Sequence, residues 1–158
     1  MPSLKEIERM KLSEAVKALT DEGVAKTRAG ALVWLRKNLP HERTYQGHIM
    51  AHLKKRGGCA YWKNAAGPYQ IQGVADVECV IEGLYFAFEV KRPLVGEASA
   101  AQKAMQRKVR QAGGVYEFVS FPDEVERIIR EELFAHLAQL YQRMSGDACA
   151  AAERESNG

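Results

Sequence analysis

The chain has 158 residues, 46% of them apolar and 27% charged, with a formal charge of +3, as expected of one soluble domain large enough for a real core. No run of about 18 apolar residues and no basic-then-apolar leader pattern occurs, so neither a membrane-spanning helix nor a signal peptide is expected, and no membrane partner. Three widely spaced cysteines (Cys59, Cys79 and Cys149) without a CxxC pair argue against a disulfide framework or structural zinc site and for a reducing, cytoplasmic setting. The charge is unevenly spread. Residues 122–158 hold four Lys/Arg against eight Asp/Glu, a net of −4, so residues 1–121 carry +7 and are open to a polyanionic partner.

In chain order, residues 3–20 predict an amphipathic helix, with Leu4, Ile7, Leu12, Ala15, Val16 and Leu19 at helical spacing and Glu22-Gly23 as the break. Residues 24–38 predict a second, with Pro40 beyond its end. This arm, residues 1–40, reads equally as a dimer or DNA contact and as a helical layer packed on the domain. Residues 41–144 form the main domain. Its first helix covers 42–56, with Tyr45, Ile49 and His52 or Leu53 inward, Lys54-Lys55-Arg56 at the negative end of its dipole, and Gly57-Gly58 as the stop. A strand over 59–63 and a polar loop over 64–72 follow.

Residues 74–91 alternate apolar and polar side chains around Glu82-Gly83, which predicts a hairpin. A turn there pairs positions whose numbers sum to 165 and sets Asp76 opposite Glu89, with Cβ atoms about 4.5–5.5 Å apart. Lys91 projects from the same face, while Val77, Cys79, Ile81, Leu84, Phe86, Phe88 and Val90 form an uncharged core face. Arg92-Pro93 ends the strand. Ser99-Ala100-Ala101-Gln102 is a capping box opening a helix to Gly113-Gly114, and residues 115–121 form the last strand. Pro122-Asp123-Glu124 starts a long helix over 122–144 with a wide apolar stripe, and residues 145–158 read as a flexible tail. The segment 84–121 fits a right-handed crossover that sets 115–121 parallel to 84–91. The fold class is α/β, a mixed sheet of about four strands with helices on both faces and extra helices at either end.

Two carboxylates held across a strand pair repel each other, and a divalent cation such as Mg2+ or Mn2+ offsets that with oxygen ligands. Lys91 adds a charge able to position an attacking water, and the three groups together suit phosphodiester hydrolysis. A surface ion cluster is the competing reading of the same residues.

Val74-Ala75-Asp76 followed by Phe88-Glu89-Val90-Lys91 resembles the PD-(D/E)XK nuclease signature, with Ala75 in place of the nominal proline. The wider set is similar to the VRR-NUC branch: Gly73, the short glycine-turned hairpin, Glu89-Val90-Lys91-Arg92-Pro93, Ser99-x-x-Gln102, Gly113-Gly114 and a valine-rich strand, over roughly residues 42–130. The resemblance implies a restriction-endonuclease-like core. It implies Asp76 and Glu89 as metal ligands, the Val90 carbonyl as a backbone ligand, Lys91 as the residue orienting the nucleophile, and Gln102 as a site or phosphate contact. Gln102 reads equally as the partner of Ser99 in the cap. The resemblance also implies an acid on the first core helix, where Gln46 stands with Glu42 one turn earlier; which of them contributes stays open, and a glutamine there would weaken metal affinity.

The implied activity is a homodimeric, Mg2+- or Mn2+-dependent endonuclease cutting branched DNA, a Holliday junction or a flap. A restriction-like or nicking endonuclease, or a non-catalytic nucleic-acid-binding module, are the alternatives. Lys103, Arg107 and Arg110, at roughly helical spacing, and Lys63 and Arg92, beside the motif, are candidate phosphate contacts, although solvated faces look the same. Tyr61-Trp62 suits base stacking or, more simply, core packing. His41, His48, His52 and His136 lack metal-ligand spacing and read as structural or solvent-facing.

Overall fold

The structure, a computed structural model, describes residues 1–64 and 71–156, with side chains as far as Met144. Loop positions 65–70 and the Cys149 side chain therefore lie outside the described residues. The elements are α1 (Leu4–Ile7), α2 (Leu12–Asp21), α3 (Arg28–Asn38), α4 (Glu42–Arg56), β1 (Ala60–Lys63), β2 (Val77–Ile81), β3 (Leu84–Val90), α5 (Ala100–Gln111), β4 (Val115–Val119) and α6 (Pro122–Ser156). No helix among the described residues is long and apolar enough to cross a membrane.

The sheet order is β1-β2-β3-β4. β1, β2 and β3 form an antiparallel meander, and β4 returns parallel to β3 after α5 crosses over. Pairs Ile81↔Leu84 through Val77↔Phe88 carry the register expected from the Glu82-Gly83 turn. Glu82 at φ 51 and Gly83 at φ 80 are both left-handed, the signature of a two-residue hairpin turn. Across one face of the sheet, Val77, Cys79, Ile81, Phe86, Phe88 and Val90 meet Tyr45, Ile49 and Leu53 of α4 and Val125, Ile128 and Ile129 of α6. Each such aliphatic burial contributes about 1.5–3 kcal/mol. Burial pushes the Cys79 thiol up to about 12, with Cys59 adding to the shift, so this thiol stays protonated and inert. Cys59 and Cys79 are both free. The opposite face is covered by α5, where Ala75, Ala87 and Tyr116 pack against Met105 and Val109.

The helices depart from expectation at three places. The predicted helix over 3–20 is broken, with α1 ending at Ile7 and α2 beginning at Leu12. The turn between them aims Arg9 back at the domain, where its guanidinium lies 3.7 Å from the Phe121 ring centroid and pairs with Asp123 at 2.7 Å. Those contacts offset the helical hydrogen bonds the turn forgoes. The second predicted helix starts at Arg28, capped by Thr27 accepting from the Gly30 N–H, and not at residue 24. At the other end the helical backbone continues to Ser156, past the predicted stop at 144. Its stripe is half used: Val125, Ile128 and Ile129 are buried, whereas Phe134, Leu137, Leu140 and Met144 are exposed.

The N-terminal helices have a small core of their own, Ile7, Ala15, Leu19, Ala25, Ala31, Leu35 and Leu39, joined by Leu94 and Val95 from the loop after β3. They pack on the domain. Tyr45 donates to Glu8 at 2.7 Å, and Arg92 ties the arm down from the other side.

Candidate active site

The hairpin brings Asp76, Glu89, Val90 and Lys91 together where β2 and β3 separate. Asp76 lies one residue before the first ladder pair, Val77↔Phe88, so its side chain takes the place of the next rung. Its Oδ2 accepts the Val90 N–H at 2.9 Å. On a strand the N–H and C=O of one residue face the same neighbour, so the Val90 carbonyl is turned to this edge too. Asn64 holds the approach to Asp76 from the β1 side: its N–H donates to the Asp76 carbonyl at 2.9 Å and its amide to the Ala75 carbonyl at 2.8 Å.

Glu89 is 3% exposed and is the one buried charged side chain among the described residues. An unpaired carboxylate there costs several kcal/mol, so its donors matter. Lys91 Nζ donates to Oε1 at 2.9 Å, the Gln102 amide donates to the same oxygen, and the Tyr116 hydroxyl stands 3.3 Å from Oε2. Burial holds the Glu89 carboxyl above its ordinary value; the Lys91 hydrogen bond opposes this, and nearby Asp76 adds to it. Gln102 serves both ends of its side chain. Its Oε1 accepts the Ser99 N–H at 2.8 Å, closing the cap of α5, and its amide faces Glu89. A glutamate at 102 would close the same cap but set a third carboxylate against Glu89.

Gln46 and Glu42 are half-buried on α4, and among the described residues no hydrogen bond or ion pair links either to this group. Lys63 is exposed on β1, and Lys103 and Arg107 are exposed on α5. Arg110 pairs with Glu117. Arg92 departs from its expected role as a phosphate contact. Its Nε donates to the Pro40 carbonyl at 2.9 Å and its Nη2 to the Arg36 and Leu39 carbonyls, both at 2.8 Å. The guanidinium thus satisfies carbonyls that the end of α3 leaves without helical partners. Tyr61 packs on the main core; Trp62 is 40% exposed, its indole N–H held by Glu78 at 2.9 Å. His52 is structural, 3.0 Å from Glu126.

Two site residues escaped the sequence reading, Asn64 and Tyr116. Tyr116 is fully buried, and its hydroxyl also lies 2.9 Å from the Gly73 carbonyl, bridging the segment that carries Asp76 to the Glu89 carboxylate. The signal was present in the alternation of β4. Tyr116 pairs with Ala87 in the parallel register and so lies on the Glu89 side of the sheet. Tyr116→Phe keeps the ring and removes the hydroxyl, and is expected to cost about 1–2 kcal/mol in a urea unfolding series. An unchanged midpoint would show the bridge to be energetically idle.

Gly73 has φ +84, and a Cβ there would lie 2.5 Å from the Ala101 carbonyl oxygen at the start of α5. Gly73→Ala therefore combines left-handed strain with a backbone collision and should cost about 2–3 kcal/mol, read as a lowered Tm; a Tm equal to the parent's would refute the close approach.

The donor set is oxygen only: two carboxylates and a backbone carbonyl. No group of three or more His, Cys, Asp or Glu able to hold a metal occurs among the described residues. Asp76, Glu89 and the Val90 carbonyl fit a hard divalent cation of the Mg2+ or Mn2+ kind, which also relieves the repulsion between the two acids.

No family model and no curated protein matches the chain. A solved structure titled "VRR_NUC domain" is similar to it at 19% identity and a TM-score of 0.44, over 54% of this chain and 95% of that one.

Proposed function

We propose that this protein is a Mg2+- or Mn2+-dependent endonuclease that hydrolyses phosphodiester bonds in branched DNA, a Holliday junction or a flap, as a homodimer. The observation carrying the reading is a buried glutamate beside an aspartate, with a lysine two residues on donating to it, at the edge of an open strand pair. A surface ion cluster would not bury Glu89 at 3% exposure or surround it with three donors. The ordered motif set around the site supports the same reading.

In this mechanism Asp76, Glu89 and the Val90 carbonyl would hold the cation, which would supply Lewis-acid neutralisation of charge on the phosphate. The Val90 N–H fixes the rotation of Asp76, and Gln102 fixes that of Glu89. Lys91, whose side chain is 15% exposed and whose ammonium lies 2.9 Å from Glu89 Oε1, would orient the attacking water and face the charge developing on the phosphate. Lys103 and Arg107, exposed on the helix that carries Gln102, supply phosphate contacts. The exposed stripe Phe134, Leu137, Leu140 and Met144 on α6 supplies the face for a second copy.

Labelled four-way junction, flap, duplex and single-stranded DNA, each with Mg2+, Mn2+ or EDTA, test the reading. Cation-dependent cutting of the branched substrates is expected. Equal cutting of plain duplex favours the restriction-like or nicking alternative, and binding without any cutting favours the non-catalytic module. Light scattering should give twice the chain mass; a monomer at micromolar concentration would remove the dimer.

A further inference from the structure

The N-terminal helices carry a feature that the proposed chemistry does not use. Residues 23–41 contain four Lys/Arg and no Asp or Glu. Lys26, Arg28, Arg36 and Lys37 are all exposed, and none of their side chains is engaged in an ion pair among the described residues. Helical spacing sorts α3 into two stripes. Ala31 and Leu35 are buried in the small core, while Ala29, Val33 and Arg36-Lys37 follow one another on the opposite side, with Lys26 just before the helix. Val33 is 64% exposed in the middle of that outer stripe.

We propose that this outer face of α3 is a second duplex-DNA contact, separate from the metal site. α2 and α3 are joined by a turn whose Gly23 has φ +70, the helix, glycine-containing turn, helix order of modules that set their second helix in the major groove. At 1.5 Å per residue the helix is roughly 16 Å long, enough to lie across a groove about 12 Å wide. Cations at both ends reach the flanking phosphates, and the small Ala29 and Val33 between them let the helix approach base edges and thymine methyls. A membrane surface fits less well, because Val33 is the only large apolar side chain on the stripe.

The face is also fixed in position. Arg92, next in sequence to Lys91, donates to the Arg36 and Leu39 carbonyls, so the end of α3 is tied to the residue following the proposed catalytic lysine. DNA held by α3 thus sits at a set distance from the site, which deepens the nuclease reading and rests on it for its purpose, though not for its test.

The test is fluorescence anisotropy of a labelled 20-base-pair duplex with the full chain in EDTA, over a salt series, comparing wild type with a variant carrying Lys26→Gln, Arg36→Gln and Lys37→Gln. Each lost phosphate contact lowers the log–log salt slope by about 0.9, so a slope shallower by about 2–3 and at least a tenfold weaker Kd near 0.1 M salt are expected. Val33→Glu alone, which puts one acid in the centre of the stripe, should weaken binding in the same direction. Circular dichroism melting within a few degrees of wild type shows the fold intact in either variant, and whichever keeps it decides the question. An unchanged Kd and slope overturn the assignment, as does a wild-type chain that binds no duplex. Because EDTA blocks cleavage, these outcomes are independent of whether the metal site cuts; a wild type that binds through α3 but never cuts sinks the nuclease reading alone.

Discussion

Lys91→Ala is expected to lower cleavage by about 10²–10³-fold while leaving divalent-ion affinity equal to or tighter than wild type. The two halves of that expectation have one cause. Lys91 Nζ lies 2.9 Å from Glu89 Oε1, which places it against an oxygen that a cation would also use. Removing the ammonium removes the group proposed to orient the nucleophile, and it also removes a competitor for the carboxylate. Isothermal titration with Mn2+ and a cleavage time course on the same protein separate the effects. Weakened Mn2+ binding in parallel with lost cutting would show that Lys91 acts only by holding the ligands in place.

Glu89→Gln is expected to abolish both Mn2+ binding and cleavage and yet to remove a source of instability in the cation-free protein. Burial raises the folded-state value of this carboxyl above its unfolded one. The folded chain therefore binds the proton more tightly, and stability is greatest below the unfolded value and falls as pH rises through the window up to the folded value. Above that window the whole penalty is present. Glutamine at 89 keeps an oxygen to accept from Lys91 or Gln102 and has no proton to lose. The variant should show a flatter stability-versus-pH curve from about pH 4.5 upward and a neutral-pH Tm no lower than wild type, measured in EDTA. A steep fall in stability at neutral pH would mean that the ion pair with Lys91 outweighs the desolvation of Glu89. Such a trade, stability given up to hold a charged group ready, is common at sites that bind cations or substrates.

Local pattern made most of this site legible. The Glu82-Gly83 turn sets the register that places Asp76 opposite Glu89, and both observations depend only on alternation and turn chemistry over fewer than twenty residues. Gln102 was readable as a cap residue from Ser99, and in the structure one end of its amide caps α5 while the other meets Glu89. What the sequence hid depends on contacts between distant segments. Tyr116 joins Gly73 to Glu89 only because the crossover sets β4 beside β3, so its hydroxyl looked like one more core aromatic. Arg92, beside the Glu89-Val90-Lys91 motif, invites a phosphate contact, and only the docked end of α3 reveals the carbonyls that claim it. The break at Glu8–Lys11 falls where the apolar stripe is interrupted by Glu8 and Lys11, but what Arg9 reaches from it on the domain, Phe121 and Asp123, could not be read from the spacing.

The proposed function makes the Asp76–Glu89–Lys91 group a cation-dependent phosphodiester-cutting centre. Cleavage of one end-labelled four-way junction by wild type and Asp76→Asn, side by side in Mn2+ and in EDTA, tests it most directly. Asparagine keeps the oxygen that accepts the Val90 N–H and discards the charge, so folding should be preserved. Cutting by wild type in Mn2+ alone is expected, and none by Asp76→Asn in either condition. Equal cutting by both proteins, or by wild type in EDTA, would contradict it.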